Sequence, residues 1–151
     1  MWYMHDHEGP IIEFNQIDNH IWIGTNSCCQ MHFDEKLLSI GITADISLEA
    51  ERIDTPFGVN SYLWLPTKDH EAPLQSQLAT GVNHIKALLS LGEKIYVHCK
   101  NGHGRSPTLI AAYYISTGMT PEDAIAFVQS KREGSHIEES QKIALNQFKT
   151  I

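Results

Sequence analysis

Short apolar runs of period two alternate along the chain with longer runs of helical period, a pattern that predicts strands interleaved with helices. EFNQI (13–17) and HIWIG (20–24) read as strands joined by the turn pair Asp18-Asn19, an edge hairpin. Residues 34–40 form a short amphipathic helix ended by Gly41, and TADISL (43–48) is a strand that runs into the charged stretch EAER. The order strand, helix, strand implies a parallel pair. SYLWLP (61–66) is a further strand, whose end is expected beside the end of the strand containing Ile95, Tyr96 and Val97. A polar loop over 67–73 then leads into a long helix, 73–91, capped by Gly92. LIAAYY (109–114) is an apolar helix. Thr120-Pro121-Glu122-Asp123 starts another, anchored by Ala124, Ile125, Phe127 and Val128 and ended by Gly134. A last helix over 138–149 uses Ile143, Leu145 and Phe148. The expectation is a three-layer α/β fold, with a small, largely parallel sheet of about five strands flanked by helices.

Composition bounds this picture. A chain of 151 residues with 42% hydrophobic content supports one domain over 1–151, with 1–11 as a loosely ordered tail. Eleven Lys and Arg against eighteen Asp and Glu give a net charge of −7, so no global basic field draws nucleic acid or an anionic bilayer. No apolar run reaches the ~20 residues of a membrane span, which argues against stable membrane insertion. The stretch MWYMHDHEGP is acidic and lacks arginine, unlike a signal or transit peptide. Within it, Trp2, Tyr3 and Met4 are tail or groove plug, and His5-Asp6-His7 reads as solvated, not as a metal clip. Three cysteines suit a reducing, cytoplasmic compartment. Cys28 and Cys29 are expected to pack as small apolar residues, with a redox role toward Cys99 as the alternative.

The chemistry concentrates in KIYVHCKNGHGRS (94–106), where a strand enters a glycine-broken loop and a helix follows. Helix N-termini present unpaired N–H groups and partial positive charge, an anion site. Five residues, Lys100, Asn101, Gly102, His103 and Gly104, separate Cys99 from Arg105. That length wraps backbone amides around a tetrahedral dianion while the guanidinium returns as a two-toothed clamp. The helix terminus, Arg105 and Lys100 all favour a thiolate at Cys99, a nucleophile facing bound phosphorus. Lys100 and His103 are read as making the pocket more cationic, whereas Lys131, Arg132 and His136 have two readings, cations leaning toward the phosphate pocket to select anionic substrates or, preferred, a solvated helix end.

His98-Cys99, five residues, then Arg105-Ser106 resembles the signature of the cysteine-dependent protein tyrosine phosphatases. The flanking residues from HIWIG through FDEKLLSIGIT to the terminal helices narrow the likeness to the small dual-specificity group, and YVHCKNGHGRSPTLIAAYYI is similar to its mitochondrial lipid phosphatase branch. The resemblance implies a dual-specificity phosphatase-like fold, a cysteinyl-phosphate intermediate and no cofactor or metal. It also implies a general acid aspartate on the loop about thirty residues before the nucleophile, where Asp69 stands, with Glu71 as competitor. Ser106 would hydrogen-bond the sulfur, and His98 would brace the loop. The partners expected are a phosphorylated protein or a small phosphate monoester, acted on by a monomer. A phosphoinositide or phospholipid is the alternative substrate. A phosphate-binding module without turnover and a sulfur transferase are the readings from other classes. The first predicts loss of nucleophile, arginine or acid, and the second usually lacks the lid aspartate and the Arg-Ser ending.

Overall fold

The computed structural model describes residues 12–26 and 32–149, and the expectations for the N-terminal tail and for Cys28 and Cys29 lie outside them. Five strands make one sheet: β1 (Phe14–Gln16), β2 (Ile21–Gly24), β3 (Ala44–Glu49), β4 (Ser61–Thr67) and β5 (Ile95–His98), in spatial order β1-β2-β5-β3-β4. Among the described residues, only the β1–β2 pair is antiparallel. β5 is buried along its whole length, as Ile-Tyr-Val-His between two neighbours requires.

One expectation about the sheet holds and one is corrected. The β1–β2 hairpin lies at an edge of the sheet, as expected, with β1 outermost, and β5 inserts beside β2 and pairs in parallel with both β2 and β3. β4 does not lie beside β5; β3 separates them, and β4 forms the far edge. Neither pairing has a local signature, since each joins residues dozens of positions apart.

Alternation along β5 divides the interior in two. Ile95 and Val97 enter a large core with Leu78, Val82, Ile85, Leu109, Val128 and Leu145, covered by α2 (Gln75–Ser90), α3 (Arg105–Ser116), α4 (Pro121–Lys131) and α5 (Glu139–Gln147). Tyr96 enters a smaller core with Trp22, Phe33, Leu37 and Ile42, covered by α1 (Glu35–Ile40). This is the expected three-layer arrangement.

The caps follow the sequence closely. Asp34 accepts a hydrogen bond from the Lys36 amide at 2.8 Å, and Gly41 ends α1 in the left-handed conformation at φ 100°. Thr120 caps α4 through the Asp123 amide at 3.1 Å, with Pro121 in the first turn. α3 differs. It begins at Arg105 behind Gly104 with no side-chain cap, so its first-turn amides stay open toward the loop.

Candidate active site

Cys99 sits at the C-terminal end of β5, at the floor of a cavity of about 190 Å³ whose wall includes Asp69, His70, His103, Arg105, Glu138 and Gln141. Its thiol is buried, and the Gly102 amide donates to Sγ at 3.2 Å. Four successive carbonyls of the loop are drawn outward by donors outside it. Lys100 O accepts from the Asn26 amide at 3.2 Å, and His103 O accepts from the His136 amide at 2.6 Å. Asn101 O and Gly102 O accept from Arg132 Nη2 and Nε at 2.8 and 3.1 Å. A peptide plane whose carbonyl points out turns its N–H inward, so these anchors orient the loop amides toward the cavity. Gly102 makes the turn possible at φ 70°; a Cβ there would come within 2.5 Å of the Gly24 carbonyl oxygen.

Arg105 is almost fully buried, and its guanidinium is divided into two halves. Nη1 donates to Glu51 Oε1 at 2.7 Å and to the Thr67 carbonyl at 2.8 Å. Nε has no hydrogen-bond partner among the described residues, and Nη2 lies 3.7 Å from Asp69 Oδ1. One side anchors the arginine, which leaves the Nε–Nη2 edge for a bidentate anion.

The loop between β4 and α2 carries the acid candidates. Asp69 lines the cavity and its Oδ1 accepts from the His70 amide at 3.0 Å, whereas Glu71 is not among the lining residues and meets α5 through its backbone carbonyl, a 3.1 Å acceptor for Gln141 Nε2. His70 takes a left-handed backbone at φ 67°, and its Nδ1 lies 2.6 Å from Glu138 Oε1. The bond with Glu138, followed by the charge of Asp69, raises the His70 pKa above its ordinary value.

His98 is placed differently from Cys99. Its ring lies on the α1 side of the sheet, stacked on Tyr96 with centroids 5.6 Å apart. Nε2 is 3.0 Å from Asp45 Oδ1, and Nδ1 is 3.3 Å from Glu49 Oε1. Burial alone would push the imidazolium down, but the Asp45 and Glu49 carboxylates outweigh it and hold the pKa up at about 10.

Several expectations need correction. Ser106 Oγ is buried without a hydrogen bond among the described residues, and the amide donor to sulfur is Gly102 instead. Lys100 is exposed and is not among the cavity residues. Burial, and next the charge of Arg132, lower the His103 pKa, so His103 adds little cationic character at neutral pH. Arg132 is no solvated helix end but a buried clamp on the loop, with Nη1 also donating to Asn15 Oδ1 at 2.8 Å. Glu51 and Gln141 were missed as site residues, and Arg132 was weighed only as a cation near the pocket, not as the buried clamp it is. Their one signal in the sequence is charge or amide character.

A family profile described as "Dual specificity phosphatase, catalytic domain" matches residues 21–151. Phosphatidylglycerophosphate phosphatase PTPMT1 of Arabidopsis thaliana is 40% identical over 73 residues, 47% of this chain and 22% of that protein. Phosphatidylglycerophosphatase and protein-tyrosine phosphatase 1 of Homo sapiens is 38% identical over 77 residues, 50% of this chain and 38% of its own length. Dual specificity protein phosphatase 1 of Mus musculus is 28% identical over 131 residues, 85% of this chain and 34% of that one. The chain thus aligns with well under half of each of these relatives. Among solved structures, PTPMT1 superposes with a TM-score of 0.76 at 27% identity, covering 90% of this chain and 93% of that one. PTPMT1 in complex with PI(5)P gives 0.75 at 27% identity, with 89% and 93% covered.

Proposed function

Because the chain belongs to the dual specificity phosphatase catalytic-domain family, we propose that it hydrolyses phosphate monoesters in two steps through a cysteinyl phosphate on Cys99. The observation that carries this reading is the loop itself, with the buried sulfur under an inward-turned amide and the open edge of Arg105 beside it.

In the first step the Cys99 thiolate attacks phosphorus, and the bond to the leaving oxygen breaks as Asp69 donates its proton to that oxygen. Three equatorial phosphoryl oxygens rest against the loop amides, the open first turn of α3 and the Nε–Nη2 edge of Arg105. Fixed donors of this kind need no reorganisation as charge moves. Glu51 and the Thr67 carbonyl keep Nη1 in place throughout. In the second step Asp69, now a carboxylate, takes a proton from water as the water oxygen attacks phosphorus, and the cysteine thiolate leaves. Arg105 and the amides balance the phosphoryl charge, so the reaction is written without a metal. The Gly102 amide, which donates to Cys99 Sγ, stabilises the departing thiolate.

A phosphorylated protein or a small phosphate monoester is the substrate proposed first. A phosphoinositide or phospholipid is the second reading, favoured by the relatives named for phosphatidylglycerophosphate and by the likeness to PTPMT1 with PI(5)P. No described helix is long and apolar enough to cross a membrane. A cytoplasmic monomer, with Cys99 kept reduced, completes the proposal. Parallel turnover of phosphopeptides, inositol phosphates and phospholipid vesicles tests it. Phosphate release from any of them that disappears in Cys99→Ser supports the chemistry, and the ranking of kcat/KM selects the class. Cyanide-dependent thiocyanate formation in place of phosphate release would replace the reading with sulfur transfer.

A further inference from the structure

Behind the phosphate loop, on the α1 side of β5, four ionisable side chains converge at more than nine-tenths burial: Asp45 and Glu49 from β3, Asp54 from the following loop, and His98. The ligand atoms of Asp45, Asp54 and His98 all fall within 4.8 Å of one another. They are close without being well paired. Asp45 Oδ1 is 3.0 Å from His98 Nε2 and Asp54 Oδ2 is 3.8 Å from it, yet Asp45 Oδ1 and His98 Nδ1 have no partner of hydrogen-bond geometry among the described residues. Atoms that converge on a shared point, instead of on each other, have this arrangement. Bonds of ~2.0–2.2 Å to a central divalent ion separate its ligands by ~3–4 Å, within a few tenths of an ångström of the spacing observed.

Two further observations point the same way. Glu49 Oε1 faces Nδ1 of His98 from behind at 3.3 Å, outside hydrogen-bond geometry, while its Oε2 accepts from Asn26 Nδ2 at 3.1 Å. An ion that takes the place of the Nε2 proton leaves the remaining proton on Nδ1, the nitrogen that Glu49 approaches. Second, Asp45, Asp54, His98 and His32 border a narrow cavity of about 10 Å³, close to the volume of one water-sized body, with Phe33 and Leu37 as an apolar wall.

We propose that Asp45, Asp54 and His98 bind a divalent transition-metal ion of the zinc class, with Glu49 beside the His98 ring. The expectation of a metal-free chain was drawn from the phosphate pocket, and this site lies on the opposite face of β5. There the ion ties β3, β5 and the loop carrying Glu51 together behind the catalytic arginine, a structural role separate from phosphoryl transfer.

The test uses full-length protein with Cys99→Ser, which removes the catalytic thiol as a competing ligand. After chelator treatment it is titrated with Zn²⁺ by calorimetry and with Co²⁺ by visible absorption. One equivalent should bind, with affinity falling ~10–100-fold in Glu49→Gln and further in Asp45→Asn and Asp54→Asn. Binding should survive replacement of His5 and His7 by alanine. X-ray absorption of the zinc-loaded protein decides the matter if the aspartate variants do not fold: imidazole with oxygen ligands and no sulfur is expected. Absence of stoichiometric binding, equal binding by the Asn variants, loss on removing His5 and His7, or sulfur in the coordination sphere would each overturn the site.

Discussion

The two faces of β5 handle charge in opposite ways, although Cys99 and His98 are neighbours in sequence. On the pocket face, donors are left without a counter-charge: Arg105 Nε and Ser106 Oγ have no hydrogen-bond partner among the described residues, and the first turn of α3 has no side-chain cap. On the α1 face, opposite charges face each other: His98 lies among Asp45, Glu49 and Asp54, and Arg52 lies against Asp54, although Asp45 Oδ1 and His98 Nδ1 lack hydrogen-bond geometry there. The first face holds its donors ready for a ligand that arrives and leaves. The second holds the strand end in place permanently. Function and stability should therefore separate when the two are mutated.

The largest effect is expected from Cys99→Ser, which should lower turnover by at least about 10³-fold while leaving the thermal midpoint near that of wild type. Arg105→Lys should follow at ~10²–10³-fold in kcat, because an ammonium cannot present the two-donor edge. A near-normal rate in that variant would remove the bidentate clamp from the account. Asp69→Asn should slow tyrosyl and alkyl phosphates by ~10²–10⁴-fold, spare substrates with activated leaving groups, and remove the alkaline limb of the kcat/KM profile. Glu71→Gln should leave that limb in place; the reverse result would make Glu71 the acid.

The back face should respond in the other currency. Glu49→Gln, which leaves His98 facing one fewer carboxylate, should destabilise the fold by about 1–3 kcal/mol in denaturant titration. Its effect on kcat should be smaller than that of any pocket substitution. A stable Glu49→Gln protein with abolished turnover would merge the two faces into one catalytic unit. The smallest effect concerns His70. Its pKa is raised in the folded state by Glu138, so the contact is fully present below the ordinary histidine value of ~6.5 and is lost as pH rises through the raised value. Imidazole shifts followed by NMR should show that raised value in wild type and a lower one in Glu138→Gln, where the Asp69 charge still acts.

The pocket was legible because its parts are contiguous: strand, cysteine, glycines, arginine and helix fall within the stretch 94–106. Helix caps such as Gly41 and Thr120 were legible for the same reason, being local solutions. The sheet order was not, since nothing near β5 records that it inserts between β2 and β3. Arg132 was misread because its partners Asn101, Gly102 and Asn15 lie 30 or more residues away, and a cation at a helix end ordinarily points to water. Asp45 and Glu49 looked like ordinary polar positions of a strand and its charged end. Only the fold shows that both are buried against His98.

The central claim, covalent catalysis by Cys99, is tested most directly by rapid acid quench of a reaction with an activated aryl phosphate, followed by mass spectrometry of the peptide containing Cys99. Wild type, and more strongly Asp69→Asn if its second step is slowed, should show one added phosphoryl group on Cys99 during turnover, and Cys99→Ser should show none. Rapid turnover with no phosphoryl group on Cys99 in either protein, or turnover undiminished in Cys99→Ser, would contradict the account.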